Sequence, residues 1–208
     1  MSRSGPAIEE LLLRTGLSPS TRLLVIASVA AWRGDQDRLG ECARCARELG
    51  QPRQDFEEAL LQTVLFAGFP RAVTAFETLN RVWPADPAPT GGGLPRSEQL
   101  AAGNALFAAI YGHNDAAVHA MLRGFHAEFH DFVLEAAYGR ILARPGLPPL
   151  VRETMAIAVL AAQDQARQFV AHARGAAHFG ASKAELREAL VSIFAHEPDV
   201  DRWMQLLR

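Results

Sequence analysis

Shifted by 130 positions, the chain meets itself. Arg22 falls on Arg152, Val29 on Val159, Ala31 on Ala161, Ala43-Arg44 on Ala173-Arg174, Ala46 on Ala176, Gly50 on Gly180 and Glu58-Ala59-Leu60 on Glu188-Ala189-Leu190. These are ten identities over 22–64 against 152–194 without a gap, and the apolar positions between them agree. A repeat of this length predicts two copies of one supersecondary unit, each helping to bury the other. Between them lies PADPAPTGGGLPRS, residues 84–97, in which Pro and Gly dominate and no apolar period persists. It reads as a linker between a first module at 8–83 and a second at 98–208.

Both modules read as helix throughout. Ala and Leu abound, and no alternating strand pattern lasts six residues. Ser18-Pro19 places a capping residue before a first-turn proline, Ser182 and Glu185 make a capping box, and Gly50 and Gly180 stand where helices should stop. The pattern predicts helices near 8–14, 19–33, 36–49, 53–66, 70–82, 98–111, 114–125, 128–143, 149–162, 164–179 and 183–195, then a short tail. The fold class is all-α. Hydrophobic residues make up 49% and charged residues 21%, with a formal charge of −2. That balance suits a globular enzyme or binding protein and gives no basic surface for nucleic acid or anionic membrane. There is no run of 18 apolar residues and no apolar core of a secretory signal in MSRSGPAIEE, and the two cysteines make no disulfide framework. A cytoplasmic location is expected.

Two polar side chains interrupt the apolar faces. Glu153 shares a stripe with Ile157 and Leu160 in helix 149–162. In the following helix Gln165, Gln168 and His172 align, with Phe169 and Ala176 beside the histidine. A short turn between two helices packs them antiparallel, so Glu153 and His172 can face one another. Such a pair can move protons, and it can equally be a buried hydrogen bond that only orders the core.

At these residues the sequence resembles the carboxymuconolactone decarboxylase family, which includes the alkylhydroperoxidase D-type proteins. RETMAIAVLAA, QFVAHARGAAHFGAS and ELREAL carry the resemblance, with AAGNALFAAIYG and FVLEAAYGRILARPGLPP upstream and EALLQTVLFAGFPRAVTAFETL at the end of module one. It covers about 20–83 and 99–195. The resemblance implies tandem helical modules, a small-molecule substrate, no cofactor or metal, and a homo-oligomeric ring with sites near subunit interfaces. In the alkylhydroperoxidase D-type proteins a Glu, a CxxC pair and a His relay protons. By position these fall on Glu153, Gln165, Gln168 and His172. The thiols are replaced, and a Gln four residues before the His resembles the decarboxylase branch. The implied function is decarboxylation of a small carboxylated lactone. His172 would donate or shuttle the proton and Glu153 would orient it. Gln168 would donate to the lactone carbonyl, Arg144 would anchor the carboxylate, and Gln165 and Arg174 would line the site.

Module one carries Leu23 where module two has Glu153, and Cys42 where it has His172. Its Cys42-x-x-Cys45 motif lies mid-helix. With Arg38, Arg44 and Arg47 close in sequence, a lowered thiol pKa and a thiol-dependent peroxidase form one alternative, and two small residues filling a helix interface form the other. A third reading is a non-catalytic ligand-binding or assembly protein. His126 and His130 have a zinc-compatible spacing without a third ligand and read as a solvated face. His113, His119, His178 and His196 read as lone surface or packing residues. Gly175, matched by Cys45, is expected to permit close helix approach. AFETLNRVW and RWMQLL suit either subunit contacts or the core.

Overall fold

The computed structural model describes residues 6–85 and 91–207, and all regular structure among them is helical. In chain order the α-helices are α1 Ile8–Leu12, α2 Pro19–Arg33, α3 Gln36–Glu48, α4 Arg53–Val82, α5 Arg96–Tyr111, α6 Asp115–Phe125, α7 Ala127–Phe132, α8 Pro149–Ala162, α9 Ala166–His178, α10 Lys183–Val191 and α11 Glu197–Gln205. A 3₁₀ turn precedes α6, and a π-helix, Val133–Leu142, runs on from α7. Residues 86–90 of the expected linker lie outside the described residues.

The local signals act as their chemistry demands. Ser18 Oγ accepts from the Thr21 N–H at 3.1 Å with Pro19 in the first turn, and Ser182 and Glu185 close both halves of the capping box. Gly34, Gly50 and Gly180 take left-handed φ angles at helix ends. The helices expected at 53–66 and 70–82 both form and meet at a kink at Gly68 (φ 72°, ψ 174°) ahead of Pro70, together making α4. Two expectations change. The expected 128–143 helix divides into α7 and the π-helix, which packs closely on α5. A Cβ at Gly139 would lie 2.6 Å from Gln99 O, and one at Gly103 2.7 Å from Gly139 N. The expected tail folds as α11, at the repeat offset of the second half of α4, and Trp203 is buried on Phe169 at a ring separation of 4.8 Å. Of the two readings of RWMQLL, this tryptophan therefore belongs to the core.

The repeat explains the architecture. In α2 ten consecutive residues, Arg22–Ala31, are buried, and in α8 so are Arg152–Ala161, the same positions 130 residues on. Helices buried all round are core helices. These two pack on each other, with α3 and α4 on one and α9 and α10 on the other. One continuous core draws on both repeats. A smaller cluster of Phe107, Ile110, Leu134, Tyr138 and Leu142 lies between α5 and the π-helix.

Each core helix carries a buried arginine, and each arginine crosses to the other repeat. Arg22 Nη2 lies 2.8 Å from Glu188 Oε2, and Arg152 Nη2 lies 2.8 Å from Glu58 Oε2. A second arginine joins each carboxylate: Arg14 meets Glu188 and Arg144 meets Glu58, both at 2.6 Å. Ser192 Oγ accepts from Arg22 Nη1, while its counterpart Gln62 donates to Arg152 O and accepts from Arg152 Nη1. The contact is a pseudo-two-fold exchange, the geometry of an isologous dimer within one chain. It extends the repeat upstream, since Arg14, Gly16, Leu17 and Pro19 match Arg144, Gly146, Leu147 and Pro149. Both glycines lie against the carboxylate side chains, where a Cβ would approach Glu188 Cγ to 3.0 Å and Glu58 Cγ to 2.6 Å.

Candidate functional site

Helices α8 and α9 form an antiparallel hairpin around the turn at Gln163–Gln165, where Asp164 takes a φ of 60°. The hairpin brings Glu153 and His172 together, with His172 Nδ1 2.9 Å from Glu153 Oε2. The Glu153 side chain is 2% exposed and that of His172 12%. Gly175 lets the carboxylate reach the imidazole. A Cβ there would lie 2.7 Å from Glu153 Oε2 and 3.2 Å from Ile110 Cγ2 of α5.

Electrostatics and tautomer follow from this geometry. Burial disfavours the charge on His172, but the neighbouring carboxylate, through its charge and its hydrogen bond, outweighs burial and raises the imidazole above its ordinary value. A carboxylate accepting from Nδ1–H fixes the ring orientation and leaves Nε2 to exchange a proton with a ligand. The chain's two tyrosines meet close by: Tyr138 donates to Tyr111 Oη at 3.2 Å. Burial raises both phenols, and the charge of Glu153 adds to the effect. Sequence reading overlooked Ile110, Tyr111 and Tyr138; the signal was the pairing of two Tyr-Gly steps, at 111–112 and 138–139, in a chain with no other tyrosine.

The remaining predicted residues separate into groups. Gln168 lies one turn before His172 on the same face of α9, and Gln165 one turn earlier as its N-cap; both are exposed. Arg174 is exposed too, but two residues past His172 it points to another side of the helix. Arg144 is not at the imidazole: its Nε and Nη2 are held by Glu58 at 2.6–3.0 Å. Its guanidinium takes part in the inter-repeat exchange.

Module one presents no matching pair. Leu23 and Cys42 are fully buried. Both cysteines are free thiols, and the alternative in which Arg38, Arg44 and Arg47 lower their pKa is not favoured. Burial pushes the Cys42 thiol far up, and burial together with Glu48, Glu41 and Glu9 raises Cys45. The histidine reading is also corrected. His130 is 3% exposed rather than on a solvated face, and His119 is not alone, for its Nδ1 lies 2.8 Å from His130 Nε2.

Comparison with known proteins identifies the family. The model of the carboxymuconolactone decarboxylase family matches residues 7–81 and 127–196, more than half the chain and parts of both repeats. The chain is also similar to a 4-carboxymuconolactone decarboxylase of Acinetobacter baylyi (strain ATCC 33305 / BD413 / ADP1), 34% identical over 79 residues, which is 37% of this chain and 59% of that protein. The match thus spans less than two thirds of that relative's length. On its two matched segments and its paired helical repeats, the chain belongs to the carboxymuconolactone decarboxylase family.

Proposed function

We propose that the protein is a decarboxylase-type lyase, independent of cofactors, that acts on a small carboxylated lactone such as γ-carboxymuconolactone. The observation that carries this reading is the 2.9 Å contact between the buried Glu153 and the partly open His172. The carbon–carbon bond to the carboxylate breaks, CO₂ leaves, and the electron pair passes into the conjugated lactone. A proton is then delivered to carbon. His172 Nε2 would supply it while Glu153 holds Nδ1 and supports the imidazolium. Gln168, on the same helix face, is free to donate to the lactone carbonyl. The similar decarboxylase from Acinetobacter baylyi supports the substrate class.

The reading includes a homo-oligomeric ring. Its support is an unusual run of open aromatics on α6, α7 and the adjoining chain: Phe125 and Phe132 are each 66% exposed and Phe129 47%. The deciding experiment incubates the purified protein with γ-carboxymuconolactone and follows the products by NMR, with Glu153→Gln and His172→Ala in parallel. Decarboxylation by the native chain and its loss in both folded variants is expected. Unchanged turnover in both variants overturns the assignment of the site.

A further inference from the structure

Beyond the Glu153–His172 pair and the inter-repeat Arg–Glu clusters, two histidines with a carboxylate at each end cross between helices. His119 of α6 and His130 of α7 face each other at 2.8 Å through Nδ1 and Nε2. The outer nitrogen of His130, Nδ1, is 2.8 Å from Asp131 Oδ1. The outer nitrogen of His119, Nε2, is 3.5 Å from Asp115 Oδ1, an oxygen that is buried and receives no hydrogen bond. The order is carboxylate, imidazole, imidazole, carboxylate. On the α5 side Phe107 stacks on His119 at 4.6 Å and separates the pair from Tyr111 and Tyr138, which Phe107 also touches. Asp115 and Asp131 are therefore the ionisable groups that meet the imidazoles directly.

Proton counting shows what this row lacks. It has three positions for a hydrogen bond, and two neutral imidazoles bring two N–H groups. If both point toward Asp131, the Asp115 end is left with a lone pair facing a carboxylate. One added proton fills all three positions. A second would place N–H against N–H at the central contact and break it.

We infer that the Asp115–His119–His130–Asp131 row is a one-proton switch that clamps α6 to α7 while it holds a single extra proton. The clamp matters to the site through α5. That helix carries Phe107 against the row and Ile110 against the Gly175 notch beside Glu153, so the hairpin of α6 and α7 braces one wall of the site. A shared metal ion fits the geometry less well. The ring centres are 5.1 Å apart, as when both facing nitrogens lie on the line between them. Lone pairs aimed along one line suit a hydrogen bond, whereas two ligands of one tetrahedral ion aim at a point off that line.

The test is an NMR titration of the histidine ring nitrogens in the full chain, with Asp115→Asn, His119→Phe and added zinc as comparisons. The two rings should respond together to the first proton and separately to a second taken up at lower pH. Backbone hydrogen exchange in α6 should be slowest between the two steps. In Asp115→Asn the amide can donate to His119 Nε2, so the first uptake should move to lower pH. In His119→Phe, which keeps an aromatic ring beside Phe107, His130 should titrate in one step. Two independent, ordinary titrations in the native chain, or an unchanged first step in Asp115→Asn, overturn the proposal. So does stoichiometric zinc binding that shifts both imidazoles together, which would make the row a metal site.

Discussion

Arg152 in the second repeat places its guanidinium 2.8 Å from the carboxylate of Glu58 in the first, with both side chains buried. Its counterpart Arg22 makes the same contact with Glu188 in the opposite direction. Two arginines on each carboxylate mean that its removal leaves positive charge in the core. Glu58→Gln should therefore cost about 3–5 kcal/mol, the usual range for breaking a buried pair by removing one partner. Glu188→Gln should cost less, because Glu188 is 14% exposed and Arg14 44%. Urea unfolding of the two variants measures the difference, and equal, small losses would show that the exchange does not hold the repeats together.

The same carboxylates set an acid limit. Burial alone would raise the Glu58 carboxyl, but the hydrogen bonds and charges of Arg144 and Arg152 prevail and hold it below its ordinary value. Glu188 is lowered by Arg14 and Arg22 against a smaller burial effect. A depressed carboxyl stabilises the fold above its unfolded-state pKa, about 4.3 for Glu, and the contribution is lost as pH falls through the folded value. Unfolding free energy should fall on acidification below about pH 4.5 and do so less steeply in Glu58→Gln. Parallel pH profiles for the two proteins would refute this.

The repeat, the helical class and the Glu153–His172 facing are legible in sequence because each rests on periodicity or on a short connection. Gly175 is legible as well, since a glycine inside an alanine-rich helix needs a close neighbour to explain it. What escapes is pairing at long range. Arg144 looks like a free cation at a helix end, and nothing near it in sequence reveals that Glu58, 86 residues away, will hold it. His130 looks solvated because its i, i+4 pairing with His126 lacks a third ligand, and only the fold of α6 back onto α7 shows His119 as its partner. Of the two readings of the thiols, the structure carries the packed one: Cys42 is buried, and burial outweighs the nearby arginines.

The titration of His172 should depend on Glu153. The carboxylate raises the imidazole against burial, so in Glu153→Gln the histidine midpoint should drop below that of the native protein. The raised histidine contributes stability below its unfolded value, about pH 6.5, and loses it as pH rises through the folded value. NMR titration of the His172 ring checks the shift, and an unmoved midpoint in the folded variant would mean that the hydrogen bond does not form in solution.

Gly175→Ala tests the placement of the pair rather than its chemistry. The added Cβ would lie 2.7 Å from Glu153 Oε2, well inside contact distance, so the carboxylate must swing away from His172. Overpacking of this kind costs about 1–3 kcal/mol. The expected result is a folded, destabilised protein whose His172 midpoint falls as in Glu153→Gln and whose turnover of the lactone drops about a hundredfold, the loss typical of a misplaced catalytic group. Gly180→Ala is the control, with open space around it and a positive φ. It should lower stability through backbone strain while leaving the His172 midpoint where it was. If both variants behave alike, the Gly175 notch has no special part in seating Glu153.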